Sequence, residues 1–152
     1  MMFKTHLASS LLVSLLSVRH LDPDNKILFI SILMIFSIFP DIDSHRSKIS
    51  RKLGFLRHMI KLFFRHRHFV HSLFIPLAVL ITLLLAGKPY LGIAAILGYS
   101  SHLILDSLNR QGVMPFYPIS KKKIRGIFMT GRLVDCSLFF VFLAASLIIF
   151  LS

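Results

Sequence analysis

His102 and Asp106 stand four residues apart in the run Gly98-Tyr99-Ser100-Ser101-His102-Leu103-Ile104-Leu105-Asp106. On a helix that spacing puts both side chains on one face, where an imidazole nitrogen and a carboxylate oxygen can grip one ion or two adjacent ones. An ionisable pair among apolar residues is expensive, so function is its default reading. The competing reading is a buried His–Asp hydrogen bond that pins two helices. His71 lies one turn inside another apolar run and is the stronger ligand candidate of its cluster. His66 precedes it, and His68, beside Arg65 and Arg67, reads as a solvated basic residue. Asp41 and Asp43 flank Ile42 just after Pro40; such a pair suits hard or borderline cations, or else a turn or helix cap. His6 and Asp135 complete the set. His20, His45 and His58 read as surface residues, and Asp22 and Asp24 as turn residues. All six acids are Asp, and Cys136 is the single cysteine. A thiolate zinc site and a disulfide framework are thereby excluded, so any metal must be held by His and Asp.

The elements that position these residues read as helices in lipid. Hydrophobic residues make up 55% of the 152-residue chain and the mean hydropathy is +0.77, more apolar than a soluble domain of this size. The expectation is one all-α domain, a polytopic membrane bundle of helices at about 6–19, 26–39, 69–87, 90–108 and 134–151. The stretch from Phe69 to Gly87 would cover roughly 28 Å, with a kink at Pro76. Leu7 to Val18 and Ile27 to Phe39 are each only about a dozen residues, which suggests thin spans or a re-entrant hairpin. The first resembles a signal peptide less well, because no small-residue cleavage site precedes Arg19. Leu53, Leu56, Ile60 and Phe63 repeat at helical spacing among Arg and Lys, which predicts an interfacial amphipathic helix at about 47–65 lying on anionic lipid.

Charge supplies the orientation. With residues 1–6, 40–68 and 107–133 in the cytoplasm, all Lys and Arg except Arg19, Lys26 and Lys88 face inward. The positive-inside rule then places the N-terminus in and the C-terminus out. Most of the +12 charge is explained this way, so no nucleic-acid partner is expected. On this topology His6, Asp41, Asp43, His66, His68, His71, His102, Asp106 and Asp135 all fall at the cytoplasmic face.

The blocks Pro40-Asp41-Ile42-Asp43, His66-Arg67-His68-Phe69-Val70-His71-Ser72 and Gly98 to Asp106 resemble the YdjM-like family of inner-membrane-associated, predicted metal-dependent hydrolases. The resemblance runs from His6 to about Asp135. His6, Asp41, Asp43, His66, His71, His102 and Asp106 match the family's recurring polar positions. His68 and Val70 stand where the family has a small residue and Thr, and Asp135 where Glu is usual. The family is distantly similar to zinc-dependent phospholipase C and the related nucleases, a fold-level analogy that implies a phosphoester substrate such as a lipid headgroup. The resemblance implies a divalent metal, Zn foremost, in about one to three copies. His6, Asp41, Asp43, His71, His102, Asp106 and Asp135 would be its ligands, and Asp41, Asp43 and His66 the catalytic groups. Arg67, Arg110, Lys121, Lys122 and Lys123 would draw in an anionic phosphate. Two rivals stand beside this reading: a non-enzymatic scaffold or regulator with a structural metal or polar cluster, and a small transporter.

Overall fold

The computed structural model describes residues 3–43, 70–128 and 132–152. The interfacial helix expected at about 47–65 lies outside the described residues, as do His45, His58, Arg65, His66, Arg67 and His68. Five α-helices are described: α1 (Phe3–Leu21), α2 (Lys26–Ile38), α3 (Phe74–Leu85), α4 (Pro89–Ser107) and α5 (Arg132–Leu151). A 3-10 helix, Phe39–Asp43, extends α2. No strand occurs among the described residues, although two isolated β-bridges close the loop between α4 and α5.

The first helix runs for 19 residues, longer than its apolar stretch suggests. Its hydroxyl residues shorten the hydrophobic run in sequence, but the fold turns them inward: Thr5, Ser9, Ser10 and Ser14 are all buried. Ser10 Oγ and Ser14 Oγ donate to the carbonyls of Leu7 and Leu11, at 2.9 and 2.7 Å. Small hydroxyl side chains satisfied by their own helix let neighbouring backbones approach closely, as helices in lipid require. In α2, the Asn25 side chain caps the first turn by accepting from the Leu28 N–H at 2.9 Å. Pro40 then removes a backbone donor, and the chain tightens into the 3-10 turn that carries Asp41.

The stretch from Phe69 to Gly87 departs from its expected form. Within its described part, α3 begins only at Phe74 and has 12 residues, about 18 Å of helix. Pro76 falls in the first turn, where its missing N–H would have had no intrahelical partner. It therefore starts the helix and does not kink it. Ahead of it, His71, Ser72 and Leu73 form a turn outside the helix, and the Leu73 N–H donates to the Pro115 carbonyl at 2.8 Å.

The fourth helix is the hub, packing against α1, α2 and α3, while α5 lies along α1. At the α2–α4 crossing a Cβ on Gly98 would run into the Leu33 backbone, so only glycine permits this approach. Phe29, Leu33 and Ala94 form one buried cluster; Tyr99, Leu103 and Val113 form another, with Phe36, Phe39, Leu73 and Ile75 packed against it. The outer surface is apolar: Phe140, Leu147, Ile148 and Phe150 on α5 and Leu77, Ile81 and Leu84 on α3 are exposed. Polar groups inside and large apolar groups outside invert the pattern of a soluble bundle. Among the described residues one helix, Leu133–Leu151, is long and apolar enough to cross a membrane by length and composition.

Candidate metal centre

The same packing gathers four elements at one end of the bundle. Parallel contact of α1 with α5 is marked by Thr5 Oγ1 donating to the Asp135 carbonyl (3.2 Å) at one end, and by Arg19 bonding Ser152 (2.6 Å) at the other. The α2–α4 pairing sets Ser37 beside His102, and the α3–α4 hairpin returns His71 to the same level.

At the centre is Asp106. Its two carboxylate oxygens face different histidines: Oδ1 lies 3.3 Å from His6 Nε2, and Oδ2 lies 3.3 Å from His102 Nε2. His71 Nε2 is 4.0 Å from Oδ2. The His6 and His102 rings stack at 4.0 Å with a 17° interplanar angle, and His71 meets His102 edge-on at 5.8 Å. His102 is fully buried and His6 is 2% exposed, whereas Asp106, His71 and Asp41 are only partly covered. The cluster is thus walled by His6 and His102 and open on the side of the other three.

His102 Nδ1 sits 2.8 Å from the Ser37 carbonyl. A carbonyl only accepts, so Nδ1 carries the proton and donates. In the neutral ring Nε2 is then a lone pair directed at Asp106, the tautomer that metal-binding histidines adopt when a carbonyl holds the other nitrogen. Neither ring nitrogen of His6 completes a hydrogen bond, nor does His102 Nε2, although all three atoms are buried.

Two sets of three potential ligands converge, each with one ligand atom per residue and all atoms within 4.8 Å of one another: His6, Asp41 and His102; and His71, His102 and Asp106. His102 belongs to both. Of the residues picked out by sequence, His6, Asp41, His71, His102 and Asp106 are brought together. Asp43 ends the 3-10 turn two residues from Asp41. Asp135 is buried in the first turn of α5 but joins neither set. Arg110, Lys121, Lys122 and Lys123 are exposed on the loop after α4. Sequence gave no reason to single out Ser37, which acts through its backbone, or Tyr99, whose hydroxyl donates to the Val70 carbonyl beside His71. Their spacings, four before Asp41 and three before His102, are the only signal either one leaves.

Buried hydroxyls, an apolar exterior and an ionisable cluster at one end define a helical membrane protein. The chain belongs to the YdjM inner membrane protein family, which it matches over residues 1–151. It is 34% identical to the inner membrane protein YdjM of Escherichia coli (strain K12) over 87 residues, covering 53% of this chain and 44% of that protein. It is likewise 34% identical over 83 residues to the uncharacterized protein YvsG of Bacillus subtilis (strain 168), covering 54% and 52%. The chain thus matches about half the length of these curated relatives. No solved structure matches it.

Proposed function

We propose that this chain is a multi-pass inner-membrane hydrolase, with its N-terminus and active face in the cytoplasm, that uses a divalent metal to cleave a phosphoester such as a lipid headgroup. The observation that carries the reading is the pair of buried histidine nitrogens facing the two oxygens of one carboxylate at equal distance. With the Nδ1 proton of His102 committed to Ser37, a neutral ring would present its Nε2 lone pair to the Asp106 carboxylate, and a cation between them would draw on both. A divalent ion held by His102 and Asp106 would answer the facing nitrogen and oxygen, with His6 reaching a second or shared position. The two His–Asp106 contacts of 3.3 Å bring nitrogen and oxygen donors of the kind zinc takes within reach of a common ion.

His102, Asp106 and His71 would hold one ion and His6 and Asp41 would contribute to a second or shared position, with His102 common to both. Catalytic zinc sites keep a coordination position open for water or substrate, and the partial exposure of Asp106 and His71 would give either one access. When bound, the metal supplies Lewis-acid activation of water and of the phosphoryl group. Of Asp41 and Asp43, the one not engaged as a ligand would take the proton of the attacking water, with His66 assisting. Asp135 would back the α1 side of the site. Arg67, Arg110 and Lys121–Lys123 would raise the local concentration of an anionic substrate.

The test is hydrolysis. Purified protein loaded with zinc should cleave at least one member of a panel of phospholipids and soluble phosphodiesters. Asp106→Asn, which keeps the shape but removes the charge, should lower that rate by about a hundredfold or more while the helical bundle stays folded. Full activity in that variant would remove the mechanism.

A further inference from the structure

The loop between α4 and α5 combines two features found together nowhere else among the described residues. From Asn109 to Arg132 the sequence contains no carboxylate, while Arg110, Lys121, Lys122, Lys123 and Arg125 are all exposed. Interleaved with these cations are large apolar side chains that also point outward. Ile119 and Ile127 are each 81% exposed, and Phe116, Ile124 and Phe128 are exposed too.

The backbone explains why these side chains do not collapse inward. Val113 and Ile124 exchange N–H to carbonyl bonds at 2.9 Å in both directions, and the Arg110 N–H donates to Phe128 at 2.9 Å. Gly112 takes a φ of +61°, and a Cβ there would strike the Ile124 carbonyl, so this closure needs glycine. The hairpin is also anchored at its base. Val113 is buried against Tyr99 and Leu103, and the Pro115 carbonyl takes the Leu73 N–H, two residues from His71. A braced hairpin that presents isoleucines and lysines together, with no acid among them, fits an interface that is apolar below and anionic above. Leu133, at the start of α5, is exposed as well.

We propose that the hairpin 109–128 docks on the anionic leaflet at the metal-site end of the bundle. Ile119, Ile127 and Phe116 enter the boundary between headgroups and acyl chains, and Lys121, Lys122, Lys123 and Arg125 engage lipid phosphates. This role stands whether or not the His/Asp cluster hydrolyses anything. It gives the lysine run a ligand of its own, the lipid surface, and it holds the segment carrying His71 at headgroup level.

The chain contains no tryptophan, so one introduced residue reports its own surroundings. Ile119→Trp would be placed in nanodiscs of phosphatidylcholine, with and without phosphatidylglycerol, and quenched with lipids brominated near the top of the acyl chain. Leu147→Trp on α5 serves as the control and should be quenched in every disc, which separates failed insertion from failed docking. Ile119→Trp should emit at short wavelength and be quenched in the anionic discs. That quenching should fall severalfold in neutral discs, in molar salt, or when Lys121, Lys122 and Lys123 are all changed to Gln. Water-like, unquenched emission in anionic discs would overturn the proposal. So would quenching indifferent to lipid charge, or a reporter shielded from both lipid and aqueous quenchers, which would mean that a protein covers the hairpin.

Discussion

At the scale of single residues, His102 is fixed on both sides, with Nδ1 on the Ser37 carbonyl and Nε2 facing Asp106. His71, by contrast, stands at the open edge, 4.0 Å from the same carboxylate. The two should therefore respond differently to removal. His71→Ala should weaken metal affinity by about 10–100-fold in a chelator competition while the melting temperature of the metal-free protein stays nearly unchanged. His6→Ala should lower both, because it also empties a fully enclosed position between α1 and α4; deleting a buried ring of this kind costs about 2–4 kcal/mol. Equal effects of the two substitutions on both readouts would contradict this division. The participating residues were legible because the chain has only six acids, all Asp, and because His102 and Asp106 stand inside an apolar run. The orienting carbonyl of Ser37 was not, since a backbone group leaves no trace in residue type.

At the scale of elements, the α2–α4 crossing sets the register that brings Ser37 to His102. Gly98→Ala should force these helices apart at Leu33. It should lower stability by about 1–3 kcal/mol, and it should reduce metal affinity although Gly98 is not a ligand. Thermal unfolding and a zinc titration on the same sample would check both. Unchanged metal affinity would show that the crossing does not set the site. The order of the five described helices could be read from hydropathy, because each apolar run is punctuated by charges or by Asp-Pro, Asn-Lys or Gly-Lys-Pro turns. Their ends could not. Inward-facing serines hid the length of α1, and a proline reads the same whether it kinks a helix or opens one. From sequence alone the loop after α4 reads only as part of the cytoplasmic segment 107–133. Its pairings, Val113 with Ile124 and Asn109 with Phe128, join residues with no alternating pattern between them.

For the whole molecule, the account requires His6, Asp41, His71 and Asp106 to share the cytoplasmic side. The single native cysteine, Cys136, makes that testable. In a Cys136→Ser background, Lys88→Cys in the α3–α4 turn should react with an impermeant maleimide in intact cells. Gln111→Cys in the hairpin should react only after the membrane is opened. The reverse pattern would invert the topology and put the site outside.

The central claim is that a metal sits among His6, Asp41, His71, His102 and Asp106. Its most direct test is the metal content of the detergent-purified protein by mass spectrometry, with wild type beside His102→Ala. Because His102 belongs to both ligand sets, the wild type should carry at least about one equivalent of zinc or another transition metal, and the variant almost none. No metal in the wild type after reconstitution, or equal metal in both proteins, would contradict the account and leave the cluster as a polar network that joins the helices.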